Sequence, residues 1–315
     1  MDAHLTGIFP RSEALIQLTR AAARGKASQA EVDTIIRRDI QALGNLQIEA
    51  DLGYVIDGEL NWQDLFRPFS VLFAGIQLGS LTRWFDNNTF YRKPTVVEKI
   101  RWKGKDTGGY FRGDLLPKDV PRKAILPGPV TFAFMSENKT KTSMPDLVDD
   151  IAHALRELVG ELSNAGYTFF QFNEPILCYQ NVNKDDLELA ADALTTCCKG
   201  ITGKKCVHTY FGDASGIAAA LLDFPVDFVG FDLYATPIES LLQLDFNRGL
   251  GCGCIDGRNS LLESTEDLHR LIARIRDELE PKDLFICPNC DLEYLPYPVA
   301  EKKIQVLSNA KRMAA

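Results

Sequence analysis

The stretch PDLVDDIAHALRELVGELSNAGYTFFQFNEP, running from Pro145 to Pro175, decides the fold. Its first half carries Leu147, Val148, Ile151, Leu155, Leu158, Val159 and Leu162, one apolar stripe at the 3.6-residue spacing of an amphipathic helix. Ser143 offers an N-cap and Asn164-Ala-Gly166 a stop, so the pattern predicts a helix over Pro145–Ser163. Its second half, Tyr167-Thr-Phe-Phe-Gln-Phe172, is aromatic and β-branched and predicts a strand over Thr168–Phe172. Helix, short turn, strand is the unit from which parallel sheets are built.

Outward from there the rhythm repeats. Apolar runs at Leu5–Phe9, Gly53–Ile56, Ala124–Leu126 continuing to Thr131, Lys205–Tyr210, Asp227–Asp232, Gly249–Ile255 and Leu284–Cys287 bring the expected strands to eight. Helical patterns at Lys184–Cys198, Ser215–Leu222, Ser264–Leu279 and Pro298–Arg312 lie between them. Parallel neighbours need a crossover each time, so the alternation predicts an α/β fold of the (β/α)8 TIM-barrel class. The segment Leu65–Lys105 breaks the rhythm and reads as an inserted hairpin, its polar tip Asp86-Asn-Asn-Thr89 close to the barrel mouth. No linker or repeat intervenes, and residues 1–315 read as a single domain.

Composition narrows the classes. The chain has 315 residues, 45% of them hydrophobic, enough for one large core, and a net charge of −8. Its basic residues are scattered, which argues against nucleic acid and anionic membranes as partners. No run approaches the ~18 apolar residues of a membrane span. Met1–Arg11 lacks a basic-then-apolar leader, so the eight cysteines read as reduced thiols and the cytoplasm as the expected compartment.

In such a barrel the loops after the strands carry chemistry. His208, Asp232 and Cys290 each fall at the end of an apolar run, where they can converge on a soft metal that holds a thiol as thiolate. Two plainer readings stand beside this one. Asp232 can cap the following segment, and His208 can be a core histidine bonded to a neighbouring strand. Cys287-Pro-Asn-Cys290 has no matching second knuckle, since Cys252-Gly-Cys254 has the wrong spacing for a zinc ribbon.

Eight short motifs follow one another along the chain. They are Gly7-Ile-Phe-Pro10; Asp57-Gly-Glu59 with Asp64; Asp86-Asn-Asn-Thr-Phe-Tyr-Arg-Lys-Pro94; and Pro127-Gly-Pro-Val-Thr131. Then come Gln171-Phe-Asn-Glu-Pro175; Val207-His-Thr-Tyr-Phe-Gly212; Gly251-Cys-Gly-Cys-Ile-Asp256 with Arg258, Asn259 and Glu263; and Pro288-Asn-Cys290. In these motifs the chain resembles the catalytic C-terminal barrel of cobalamin-independent methionine synthase, in its short single-domain core form.

The resemblance implies a zinc-dependent methyltransferase that methylates the thiol of homocysteine to give methionine. It implies zinc ligands at His208, at Asp232 (where the family has glutamate) and at Cys290. The family's first cysteine falls on Tyr210, leaving the fourth position open to Cys206 on the same strand face, to Tyr210 itself or to water. The substrate carboxylate would meet the Gly7-Ile8 backbone and the ammonium Glu59, with Asn173 where the family has aspartate. A pterin-stacking tryptophan of the family falls on Met135, so the implied donor is a methylcorrinoid, methylcobalamin either free or on a corrinoid protein. Ile8 and Asn173 leave open another thiol acceptor such as coenzyme M, and Tyr210 in place of a ligand leaves open a non-catalytic barrel that binds a corrinoid protein or an amino acid.

Overall fold

The computed structural model describes residues 1–180 and 182–314. Its strands are β1 (Asp2–Ala3), β2 (Phe73–Arg83), β3 (Phe90–Trp102), β4 (Arg122–Pro127), β5 (Glu137–Asn138), β6 (Tyr167–Asn173), β7 (Lys204–Thr209), β8 (Phe228–Asp232), β9 (Gly249–Ile255) and β10 (Asp283–Pro288). Seven of them form one curled parallel sheet in the order β1-β10-β9-β8-β7-β6-β4. The helix over Met144–Asn164 buries its apolar stripe against this sheet, with Ser143 capping its start. Gly166, at φ +90°, supplies the left-handed turn into β6.

The eight-stranded closed barrel expected from the sequence is not what forms. Residues 5–9 leave the sheet after β1, and the Gly53–Ile56 run makes single contacts in place of a strand. The Gly53 amide donates to Ala3 O at 3.2 Å, and Val55 pairs in parallel with Arg122. These bonds span the gap between the sheet edges β1 and β4. The reason lies in Gln47, whose amide side chain both donates to Ile56 O (2.8 Å) and accepts from Ile56 N (3.0 Å). With its peptide groups satisfied by a side chain, the segment has no ladder left to extend. The run to Thr131 also stops short: Pro129 starts a helical turn over Pro129–Phe134.

β2 and β3 form a long antiparallel hairpin, and β5 adds to β3. The hairpin packs on the Met144–Asn164 helix, and a pile of aromatic rings, among them Phe66, Phe69, Phe73, Trp84 and Tyr91, joins it to Phe132 on the helical turn Pro129–Phe134. Below the mouth, the sheet interior is filled by Phe169, Cys206, Phe228, Phe285 and Cys287. Lys123 lies buried among them. Its ammonium donates to Leu5 O at 2.8 Å and sits just over 5 Å from the Phe169 and Phe285 rings, and burial pulls its pKa down to about 8. Each large ring removed from water here contributes ~2–3 kcal/mol. The interior of β9 is glycine for lack of room: a Cβ on Gly251 would lie 2.7 Å from the Phe285 ring.

Candidate functional site

The sheet delivers two groups of polar side chains to its carboxyl end. The first centres on Asn289, directly after β10. Its peptide carbonyl lies 2.8 Å from His208 Nε2, its Nδ2 donates to Asp232 Oδ1 at 2.9 Å, and its Oδ1 accepts from Gly257 N at 2.8 Å. A carbonyl can only accept, so Nε2 of His208 carries the proton. The other ring nitrogen, Nδ1, packs on Gly230, where a Cβ would come within 2.0 Å. Burial pulls the His208 pKa down to about 4, so the ring is neutral.

That Nδ1 has no hydrogen-bond partner among the described residues, whereas Asp232 is saturated. Beyond Asn289 its carboxylate accepts from Tyr234 N (3.0 Å), Ala235 N (3.3 Å) and Phe211 N (3.3 Å). Cys290 is fully buried, with burial first and then the Asp291 and Asp232 carboxylates pushing its thiol well above the ordinary range. Among the described residues no group of three or more His, Cys, Asp or Glu side chains is placed to hold a metal ion. His208, Asp232 and Cys290 share a rim without forming the expected ligand set: four N–H donors take up the Asp232 carboxylate, and the one lone pair of His208, on Nδ1, lies against Gly230 with no partner among the described residues. The plainer readings of His208 and Asp232 describe their bonding.

The candidates for a fourth ligand do not repair this. Cys206 lies deeper, in the apolar layer with Phe169 and Phe285, where burial raises its thiol to about 12. Tyr210 is buried with its hydroxyl unpartnered, its ring centre 5.7 Å from that of His208. Burial, then Asp291, hold that phenol in its protonated form.

The second group surrounds a cavity of about 480 Å³ lined in part by Ile8, Arg11, Glu59, Gln63, Glu293 and Tyr297. Glu59 follows the tight turn Asp57-Gly58, and its amide donates to Asp57 Oδ1 at 2.9 Å. Its side chain is buried and its Oε2 has no partner among the described residues. Burial, then Asp291, Asp57 and Glu293, raise its carboxyl well above the ordinary range. Ile8 N, expected to receive a substrate carboxylate, instead donates to Asp291 Oδ1 at 3.0 Å. Gly7 is what lets Asp291 approach: a Cβ there would lie 1.6 Å from the same oxygen. Asn173 stands apart from this cavity, its Oδ1 accepting from Gln171 Nε2 at 2.7 Å and its Nδ2 unpartnered.

Four residues of these groups escaped sequence reading: Arg11, Asn289, Asp291 and Glu293. Asn289 stood in a quoted motif as a spacer before Cys290. Asp291-Leu-Glu293 carried a usable signal, two acids directly after the last strand.

The cobalamin-independent synthase family, in the description of its N-terminal domain, matches residues 75–280, more than half of the chain. That span contains Asn173, His208 and Asp232 but neither Glu59 nor Cys290. Similar full-length proteins include the methionine synthase of Saccharolobus solfataricus, 28% identical over 306 residues covering 95% of this chain and 90% of the relative. That of Sulfolobus acidocaldarius is 25% identical, over 95% and 87%. The fold is similar to a B12-independent methionine synthase of Shewanella sp. W3-18-1 in complex with selenomethionine, at TM-score 0.82 and 20% identity, covering 99% of this chain and 96% of that one. A putative B12-independent methionine synthase from Listeria monocytogenes gives 0.77 at 14% identity, over 100% and 96%. No described helix is long and apolar enough to cross a membrane. The family description also corrects the donor: a cobalamin-independent synthase gives no support to methylcobalamin or to a corrinoid partner protein. The chain belongs to the cobalamin-independent methionine synthase family, a family of B12-independent methyltransferases.

Proposed function

We propose that this protein moves a methyl group from a cobalamin-free donor to the sulfur of homocysteine, giving methionine, and that residues 1–315 act as one catalytic unit on a barrel whose eighth strand has decayed to a bridge. The observation that carries the reading is Glu59: a buried carboxylate with a free oxygen, lining a cavity of about 480 Å³ that has room for an amino acid. An unpaired buried carboxylate is costly, and a substrate ammonium is the cation that would offset it. Arg11 lines the same cavity, attracted to Glu293 but in no ion pair within 4 Å among the described residues, and we assign it to the substrate carboxylate. Asn173 Nδ2 and the Tyr210 hydroxyl are further unpartnered polar groups at this end of the sheet. The selenomethionine complex of the Shewanella neighbour supports an amino-acid ligand bearing a methylated chalcogen.

Zinc is implied by the family resemblance, but His208, Asp232 and Cys290 do not fit it here. In the transfer, the bond between methyl and donor breaks, the S–CH3 bond forms, and the thiol proton is released. A second cavity of about 740 Å³, lined by Arg67, Arg112 and Tyr110, shares Arg11 and Gln63 with the first, and we assign it to the donor. Arg67 and Arg112 are already paired there, to Asp64 and to Asp33 and Asp114, so they hold the shape of the cavity and leave Arg11 as its guanidinium without an ion pair among the described residues.

Purified protein supplied with homocysteine and methyltetrahydrofolate should form methionine. Coenzyme M, which lacks an ammonium group, should be a poor acceptor. Methylation of both thiols with equal efficiency would overturn the assignment of Glu59.

A further inference from the structure

We infer that Asn289 does in this chain what a bound cation would do: it ties the ends of β7, β8 and β10 and the loop after β9 into one rigid rim, and the protein works without zinc at His208, Asp232 and Cys290. The inference concerns the rim alone and does not depend on which thiol is methylated.

The argument is one of donor accounting. A metal at this rim needs a lone pair from each ligand, directed at a common point. His208 has one lone pair, on Nδ1, and that nitrogen faces the Gly230 backbone, while its Nε2–H is committed to Asn289 O at 2.8 Å. Asp232 receives four N–H groups, one of them from Asn289 at 2.9 Å. Ligation through His208 Nδ1 would leave its bond to Asn289 O in place, but that nitrogen, unpartnered among the described residues, lies against Gly230, and Asp232 would have to give up Asn289 Nδ2 and its backbone donors.

Asn289 is itself fully used. Its amide N donates to Ile255 O at 2.8 Å, and its side chain holds Gly257 N. Gly257 packs in turn on the next residue, Cys290: a Cβ there would lie 2.9 Å from its sulfur. An amide that donates to a carboxylate on one side and accepts from a peptide on the other supplies the convergent contacts of an ion without its charge.

Two measurements test this, and neither needs turnover. Protein purified without chelator, then incubated with zinc and desalted, should hold far less than one zinc per chain. Cobalt(II) titration should give no thiolate charge-transfer or tetrahedral absorption band. One zinc per chain, lost in Cys290→Ser, would overturn the inference.

The second measurement uses Asn289→Asp, which keeps the acceptor for Gly257 N but sets two carboxylates against each other. Its Tm should fall, and divalent cation should restore it, while the wild-type Tm stays unmoved by the same cation. A variant with no cation response would contradict the stand-in role. If the variant does not fold, wild-type metal content still decides.

Discussion

The rim around Asn289 and the cavity around Glu59 lie at the same end of one sheet, and they are built on opposite principles. At the rim His208, Asp232 and Gly257 are all tied to one asparagine, and the Asp232 carboxylate is filled by N–H donors. At the cavity a buried carboxylate oxygen has nothing to bond, and neighbouring acids press on it. A satisfied network specifies shape, whereas an unsatisfied one specifies a ligand. The residues most conspicuous in sequence therefore hold the scaffold, and the open chemistry sits beside them.

Substitutions can break this contrast. Asn289→Ala removes the donor to Asp232 and the acceptor of Gly257 N, leaving buried groups unpaired. A loss of ~3 kcal/mol in unfolding free energy is expected from denaturant titration. Gly230→Ala drives a methyl into His208 Nδ1 and should cost ~2 kcal/mol by the same measurement, because neither the strand nor the locked ring can yield.

On the cavity side the sign reverses. Glu59→Gln should raise the KM for homocysteine by about tenfold, ~1.4 kcal/mol, with kcat little changed. It should also stabilise the free protein at pH 8. The folded pKa of Glu59 is raised above its unfolded value, so the wild type loses stability as pH rises through the folded value, and glutamine does not. The gain should shrink on acidification, when wild-type Glu59 takes up its proton. Tyr210→Phe deletes a buried hydroxyl without a partner and should change stability by less than ~1 kcal/mol, in either direction. A large loss there would show that the hydroxyl is bonded in the folded protein.

Much of the architecture is written in local pattern. The stripe from Leu147 to Leu162 and the aromatic run from Tyr167 each have one period and one low-energy answer, and both form where the pattern places them. The edges were not legible. Leu5–Phe9 and Gly53–Ile56 are apolar enough for strands, but whether they pair depends on Asp291 reaching Gly7 and on Gln47 capturing Ile56, contacts across 284 and 9 residues of chain.

The site divides in the same way. Glu59 could be read through the family resemblance, whose Asp57-Gly-Glu59 motif puts an acid against the substrate ammonium. The roles of Asn289 and Asp291 could not, because an amide that replaces a cation and a carboxylate that fills an internal cradle differ from ordinary loop residues only in what surrounds them.

The most direct measurement is calorimetric binding of homocysteine and of a thiol of equal length lacking the amino group, to wild type and to Glu59→Gln. A clear preference for homocysteine in the wild type that collapses in the variant is the expected result. Equal affinity for both thiols in both proteins would mean that the buried carboxylate does not receive the substrate, and the assignment of the cavity would be wrong.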